Sequence, residues 1–158
     1  MRLTTKGRYA VTALLDLALQ PVDHTITLSE IAARQSISVS YLEQLFAKLK
    51  RRGLVSSVRG ASGGYRLAKS PHHIAIMDII DAVNESVSAT RCDGKGNCHD
   101  GAKCLTHDLW HDLSHQIESY LGGISLGSLI DRQQESTLSM TQHRFLGDTQ
   151  PVSLRTTS

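Results

Sequence analysis

A mainly α-helical chain carrying one small β-hairpin is the fold class that these 158 residues predict. Three features predict it. Apolar residues recur at helical spacing in several separate stretches, a single strand-like run meets closely set glycines, and charge divides the chain into two unequal halves. Residues 1–70 carry eleven Lys and Arg against four Asp and Glu, a net of +7, while residues 71–158 carry six against eleven, a net of −5. The whole-chain value of +2 conceals this division. A basic amino-terminal half joined to an acidic remainder is the footprint of a nucleic-acid-binding domain attached to something else.

The first element begins as secretory signals do, with basic residues before an apolar run, in "MRLTTKGRYAVTALLDLAL". Asp16 interrupts that run and no small-residue cleavage site follows before Pro21. Tyr9, Ala10, Ala13, Leu14, Leu17 and Ala18 instead repeat as one face of an amphipathic helix. No stretch reaches the roughly 18 uninterrupted apolar residues of a membrane span. The expected setting is therefore cytoplasmic, with no membrane partner, where thiols stay reduced and clustered cysteines more often bind metal.

Next, "TLSEIAARQSISVSYLEQLFAKLKRRG" opens with Thr27 three residues before Glu30, a capping box, and carries Leu28, Ile31 and Ala32 on one face. Gln35 to Ser38 interrupt the pattern. A second helix follows with Val39, Leu42, Leu45, Phe46 and Leu49 inward, capped by Ser38 and ended by Gly53 in a left-handed conformation. Two short helices about a tight turn predict a helix-turn-helix. The exposed face at the start of the second helix makes Ser38, Ser40, Tyr41, Glu43 and Gln44 the candidate base-reading residues. An ordinary surface helix with a basic tail would look similar, but "LVSSVRGASGGYRLA" follows at once as a strand, a turn at Gly60, Gly63 and Gly64, and an alternating return. A helix-turn-helix followed by a basic hairpin is a winged helix, with Arg59 at the wing, where a cation enters a narrow minor groove.

All three cysteines lie in "CDGKGNCHDGAKCLTH", residues 92–107. An odd count suits no disulfide framework, and the Gly, Asp, Asn and Lys between them suit no buried apolar thiols. Thiolates serve both zinc and iron-sulfur clusters, and three Cys plus one His is also a structural zinc set. Zinc sites favour pairs two to four residues apart, whereas five residues separate each successive pair here, which tilts the reading modestly toward a cluster. His99, His111 and His115 lie near as further nitrogen donors, each equally explicable as a solvated surface histidine.

The chain resembles the Rrf-type winged-helix transcription regulators, most of all those that carry an iron-sulfur cluster. The resemblance rests on the opening "MRLTTKGRYAVTALLDLAL", the segment "SISVSYLEQLF", the wing "GLVSSVRGASGGYRL", the segment "ATRCDGKGNCHDGAKCLTH" and the helix "LWHDLSHQIESYL". The cysteine segment is the most specific of these, because sister regulators vary or lack it. Ala61 and Ser62 depart from the Pro and Gly that the family usually has in the wing. The resemblance implies a 2Fe-2S cluster held by Cys92, Cys98, Cys104 and His107, supplied by the iron-sulfur cluster assembly machinery. It also implies a homodimer on paired half-sites of double-stranded DNA, repressing the cluster assembly genes when loaded and binding other sites in the apo form.

After the cysteines, Leu109, Leu113, Ile117, Tyr120 and Leu121 make an apolar stripe on a helix from about Asp108 to Leu121, stopped by Gly122. The winged domain covers its own core, so this stripe needs a partner, either the first helix or a second subunit. The expected organisation is a winged domain at 1–80, a linker and cluster loop at 81–107, a dimerisation helix with a short successor at 108–133, and a tail without fixed structure at 134–158. No nucleophile, base and orienting group stand in a recognisable arrangement, so an enzyme is not expected. An electron carrier explains the cysteines and not the basic half; a zinc-stabilised regulator explains both.

Overall fold

Two caps set the geometry of the helix-turn-helix. In the computed structural model, which describes the backbone of residues 5–146 and the side chains of residues 5–138, the Thr27 side chain accepts from the Glu30 N–H, and the Glu30 carboxylate accepts from the Thr27 N–H at 2.7 Å. This reciprocal box starts α2 (Leu28–Gln35), after α1 (Thr5–Ala18). Ser36 ends α2 in a left-handed conformation, φ 55°. The Ser38 hydroxyl then accepts from the Tyr41 N–H and starts α3 (Val39–Arg51), and Gly53 follows its end at φ 68°. Left-handed backbone at that position is the ordinary way to stop a helix.

The wing is the antiparallel pair β1 (Val55–Val58) and β2 (Gly64–Leu67), with Ser56 opposite Arg66 and Val58 opposite Gly64. Its turn closes through Gly63 N–H to the Gly60 carbonyl at 2.9 Å. A side chain on Gly63 would collide with the Val58 and Gly60 carbonyls, so the turn keeps glycine there although Ala61 and Ser62 stand beside it. Ile26 makes an isolated bridge to β2, exchanging both backbone hydrogen bonds with Tyr65 at 2.9 and 2.7 Å. The wing is thereby joined to the segment before α2.

One core serves the whole helical body. Ala10, Ala13, Leu14 and Leu17 of α1 pack with Ile31 of α2, Leu42, Leu45, Phe46 and Leu49 of α3, and Ile76, Ile79 and Ile80 of α4 (Ile76–Ala82). The expected inward face of α1 holds except for Tyr9, which is 37% exposed and meets Tyr41 edge-on at 5.8 Å. Val39 of α3 is also partly exposed, because it is the first helical residue and lies at the rim of the core.

Asp16, which breaks the apolar run of α1, is buried to 5% exposure. Arg34 donates to it through Nε and Nη2, the shortest contact being 2.6 Å, and Gln35 donates a further bond at 2.6 Å. Burial pushes the Asp16 carboxyl up, but the hydrogen bonds from Arg34 and Gln35 outweigh it and hold the carboxyl below its ordinary value. The pair fastens the end of α2 to α1. A carboxyl depressed in the folded state stabilises the fold at pH above about 4, and this contribution fades as pH falls through the depressed value. Removing the guanidinium leaves burial dominant and reverses the shift. Arg34→Ala is therefore expected to cost about 1–3 kcal/mol at pH 7 and to lose part of that deficit toward pH 4. Urea denaturation of both proteins at the two pH values, at one protein concentration, measures the narrowing; a pH-independent deficit would contradict it.

Beyond the winged domain, α5 (His107–Gly122) and α6 (Leu126–Leu146) complete the described chain. Backbone bonds from Ile76 N–H to the Ile124 carbonyl at 2.9 Å, and from Leu126 N–H to the Ile74 carbonyl at 2.8 Å, bring the α5–α6 connection back against the residues preceding α4. Helix α6 corrects the expectation of an unstructured tail from residue 134, because its helix continues through residue 146. Its sequence lacks an apolar period, yet it contains no Pro or Gly from Ser128 to Leu146, and extending a formed helix costs far less than starting one. Residues 147–158 lie outside the described residues. Among the described residues, no helix is long and apolar enough to cross a membrane.

Candidate metal centre and nucleic-acid interface

The cysteine segment folds tightly on its own backbone. Asp100 and Gly101 both take left-handed conformations, φ 46° and 83°, between His99 and Ala102, which exchange hydrogen bonds at 3.0 and 2.8 Å. That is the geometry of a two-residue hairpin turn, which an Asp-Gly pair favours. It places Cys98 just before the turn and Cys104 just after it. The Cys104 N–H then donates to Cys98 Sγ at 3.1 Å.

His107 opens α5 and is 4% exposed. Its Nδ1 stands 3.5 Å from Cys92 Sγ and 3.5 Å from Cys98 Sγ. The donor atoms of Cys92, Cys98 and His107 all lie within 4.8 Å of one another. Cys104 borders the same site, where Cys98, Cys104, Thr106, His107 and Trp110 line a cavity of about 400 Å³. Its Sγ is 3.9 Å from Thr106 Oγ1.

The three thiols compete for their protons. Burial raises Cys92, but the N–H groups of Gly96 and Asn97 and the side chains of Cys98 and Thr90 prevail and lower it. The Cys104 N–H favours the Cys98 thiolate, yet the neighbouring thiols and burial outweigh it, so Cys98 is raised. The bond with Cys98 lowers Cys104 against the opposing effect of burial. Thiols held this close repel one another once ionised, and a bound cation relieves that repulsion. The site also lies at the start of α5, where the helix dipole favours net negative charge. Soft thiolates with one imidazole fit iron with sulfide, and a 2Fe-2S cluster is the cofactor that suits this set.

Of the remaining histidines, His111 stacks near His107 with ring centres 6.0 Å apart, and its exposed ring lies 3.8 Å from Asp112. His99 is exposed beside Asp100, and His115 faces outward from α5. None of the three joins the Cys92, Cys98 and His107 group.

On α3, Ser40, Glu43 and Gln44 are exposed. Ser38 is occupied as the cap, and Tyr41 is half-buried against Tyr9. Arg59 stands exposed at the tip of the wing. Lys50 donates to Ser57 Oγ at 2.6 Å, joining the basic end of α3 to β1. Sequence reasoning passed over two buried hydroxyls beside the cysteines, Thr90 and Ser114. It also passed over Glu85, whose carboxylate accepts from the Gly7 N–H at 2.9 Å in the first turn of α1.

An exposed helix-turn-helix face, a cationic wing tip and a thiolate-rich centre on one chain define a DNA-binding regulator that carries a metal centre. Residues 3–132 match the Rrf2 family, described as an iron-dependent transcriptional regulator, and the chain belongs to that family. A putative HTH-type transcriptional regulator, ORF2, from Azotobacter vinelandii is 56% identical, covering 96% of this chain and 93% of that one. The HTH-type transcriptional regulator IscR of Klebsiella pneumoniae is 55% identical, covering 91% and 88% respectively. Among solved structures, T. potens IscR superposes with a TM-score of 0.71 at 37% identity, covering 86% of this chain and 90% of that one. CymR, the global cysteine regulator of B. subtilis, superposes with a TM-score of 0.72 at 30% identity, covering 84% and 98%.

Proposed function

We propose that this chain regulates transcription according to the state of a 2Fe-2S cluster held by Cys92, Cys98, Cys104 and His107. The observation that carries the reading is the convergence of Cys92, Cys98 and buried His107 within 4.8 Å at the start of α5. Such a cluster, when bound, supplies a redox-active and displaceable charge at that point. The chain's own residues do the rest. The thiols and the imidazole bind it, the hairpin at Asp100 and Gly101 sets the separation of Cys98 and Cys104, and α5 fixes His107. In this reading, which follows the resemblance stated for the sequence, the loaded form represses the genes of cluster assembly, and sites of a second type accept the apo form. The assembly machinery is the cluster donor, and the cytoplasm the setting.

The DNA reading is assigned to Ser38, Ser40, Tyr41, Glu43 and Gln44 on α3 and to Arg59 on the wing, as a homodimer on paired half-sites. Leu109, Trp110, Leu113 and Tyr120 are exposed on α5, while Ile117 and Leu121 pack on the core. The exposed set is the surface assigned to the second subunit. Anaerobic purification with iron and acid-labile sulfide analysis tests the cofactor, since a colourless protein with zinc would refute it.

Glu43 tests the readout. An anion on a surface that meets phosphates is explained if it accepts from a cytosine amino group or excludes wrong bases. Glu43→Ala is expected to relax base preference by about 1–3 kcal/mol at one position of each half-site, whereas Arg59→Ala weakens binding wherever the minor groove is narrow. Equal loss of affinity for every sequence in Glu43→Ala, measured by competition among operator variants, would refute its assignment.

A further inference from the structure

Four polar side chains are buried among the described residues, namely Asp16, Thr90, His107 and Ser114. Asp16 is neutralised by Arg34, and His107 faces the cysteines. Thr90 and Ser114 are 8% and 7% exposed and have no part in the ligand set. Burying a hydroxyl costs free energy unless its bonds are made, so the partners these two find are informative.

Ser114 lies seven residues after His107, two turns along the same face of α5. Its hydroxyl donates to the Trp110 carbonyl at 2.7 Å and accepts from the Ala89 N–H at 2.8 Å. The next residue, Thr90, accepts from the Gly94 N–H at 2.7 Å and shares a bond of 2.8 Å with the Ser88 hydroxyl. Gly94 needs this support, because its φ of 79° and the 49° of Asp93 make a sharply turned pair directly after Cys92. Adjacent residues therefore face opposite ways: Ala89 is tied to the helix that carries His107, and Thr90 to the loop that carries Cys92.

With Ser88 donating to Thr90, both lone pairs of Thr90 Oγ1 are filled, by the Ser88 O–H and the Gly94 N–H.

We propose that Thr90 and Ser114 are positioning residues of the metal centre: Ser114 sets the separation of Cys92 from His107, and Thr90 folds the Cys92–Gly94 turn. This rests on the cluster reading given above. Groups that orient metal ligands affect retention by about 10- to 100-fold.

The test uses the full chain with Thr90→Val, Thr90→Ser and Ser114→Ala, following visible absorption during anaerobic challenge with EDTA. Thr90→Val is expected to lose the cluster about 10- to 100-fold faster, and Thr90→Ser to restore retention. Ser114→Ala is expected to lose the cluster faster while the Gly94 amide stays protected. Hydrogen exchange of the apo proteins reads the turn itself: protection of the Gly94 amide should vanish in Thr90→Val and return in Thr90→Ser. Wild-type retention in Thr90→Val would overturn the proposal, as would a Thr90→Ser protein no better than Thr90→Val. Should Thr90→Val take up no cluster, Gly94 exchange decides, and wild-type protection there overturns the role of Thr90. Wild-type protein lacking acid-labile sulfide would instead sink the cluster reading, while the exchange measurement still judged the turn.

Discussion

Cys98→Ala protein purified without oxygen is expected to be colourless and to contain no acid-labile sulfide. The Cys98 sulfur accepts from the Cys104 N–H at 3.1 Å and stands 3.5 Å from the His107 ring. Its loss removes one ligand and also the sulfur about which the hairpin places Cys104. Cys92→Ala and Cys104→Ala should behave alike, since two thiols and an imidazole cannot complete the coordination of two irons. His107→Ala should bind a cluster and lose it sooner, because three thiolates remain. His111→Ala should change little, as its exposed ring lies beside Asp112 outside the ligand group. Full iron and sulfide in Cys98→Ala would refute the ligand assignment.

The second large effect is on DNA. Cluster-loaded protein and a Cys92→Ala variant, titrated against several operators, are expected to rank them differently, with ratios changed by roughly 5- to 150-fold, the usual range of coupling between two sites. One salt concentration must be kept throughout, because phosphate contacts make every affinity salt-dependent. A physical connection is present. Seven residues before Cys92, Glu85 holds the first turn of α1 through Gly7, and α1 meets α3 through the Tyr9–Tyr41 contact. Ordering of the loop can therefore bias the placement of the reading helix. Folding should survive the substitution, since the core contains no cysteine; unchanged circular dichroism and thermal midpoint would check this. Identical operator ratios for the two proteins would mean that the centre does not regulate DNA choice.

Features that were local in the chain were legible in its sequence. Thr27 with Glu30, Ser38 and Gly53 act within four residues of themselves, and each does in the structure what its residue type predicts. The candidate ligands were legible because they fall in one short segment of unusual composition. What escaped was non-local or depended on burial. Asp16 read as an interruption because its partners lie 18 and 19 residues away. The α5 stripe read as one face, yet the structure divides it, with Leu109, Leu113 and Tyr120 exposed and Ile117 and Leu121 on the core. Thr90 and Ser114 belong to residue types too common to mark a site, and only their burial and their bonds distinguish them.

The backbone bonds between residues 74–76 and 124–126 have a topological consequence. They close residues 77–123 into a loop whose two ends pack on the common core, through Ile79 and Ile80 at one side and Ile117 and Leu121 at the other, with the cysteine segment between them. The free energy of closing such a loop grows only with the logarithm of its length, about 0.6 kcal/mol for each doubling. Within this excursion the cysteine segment can lengthen, shorten or lose its ligands while both anchoring strands of backbone stay where they are. The cysteine segment is thus strung between two stretches anchored in the same core, and a lineage can exchange what the protein detects without rebuilding how it reads DNA.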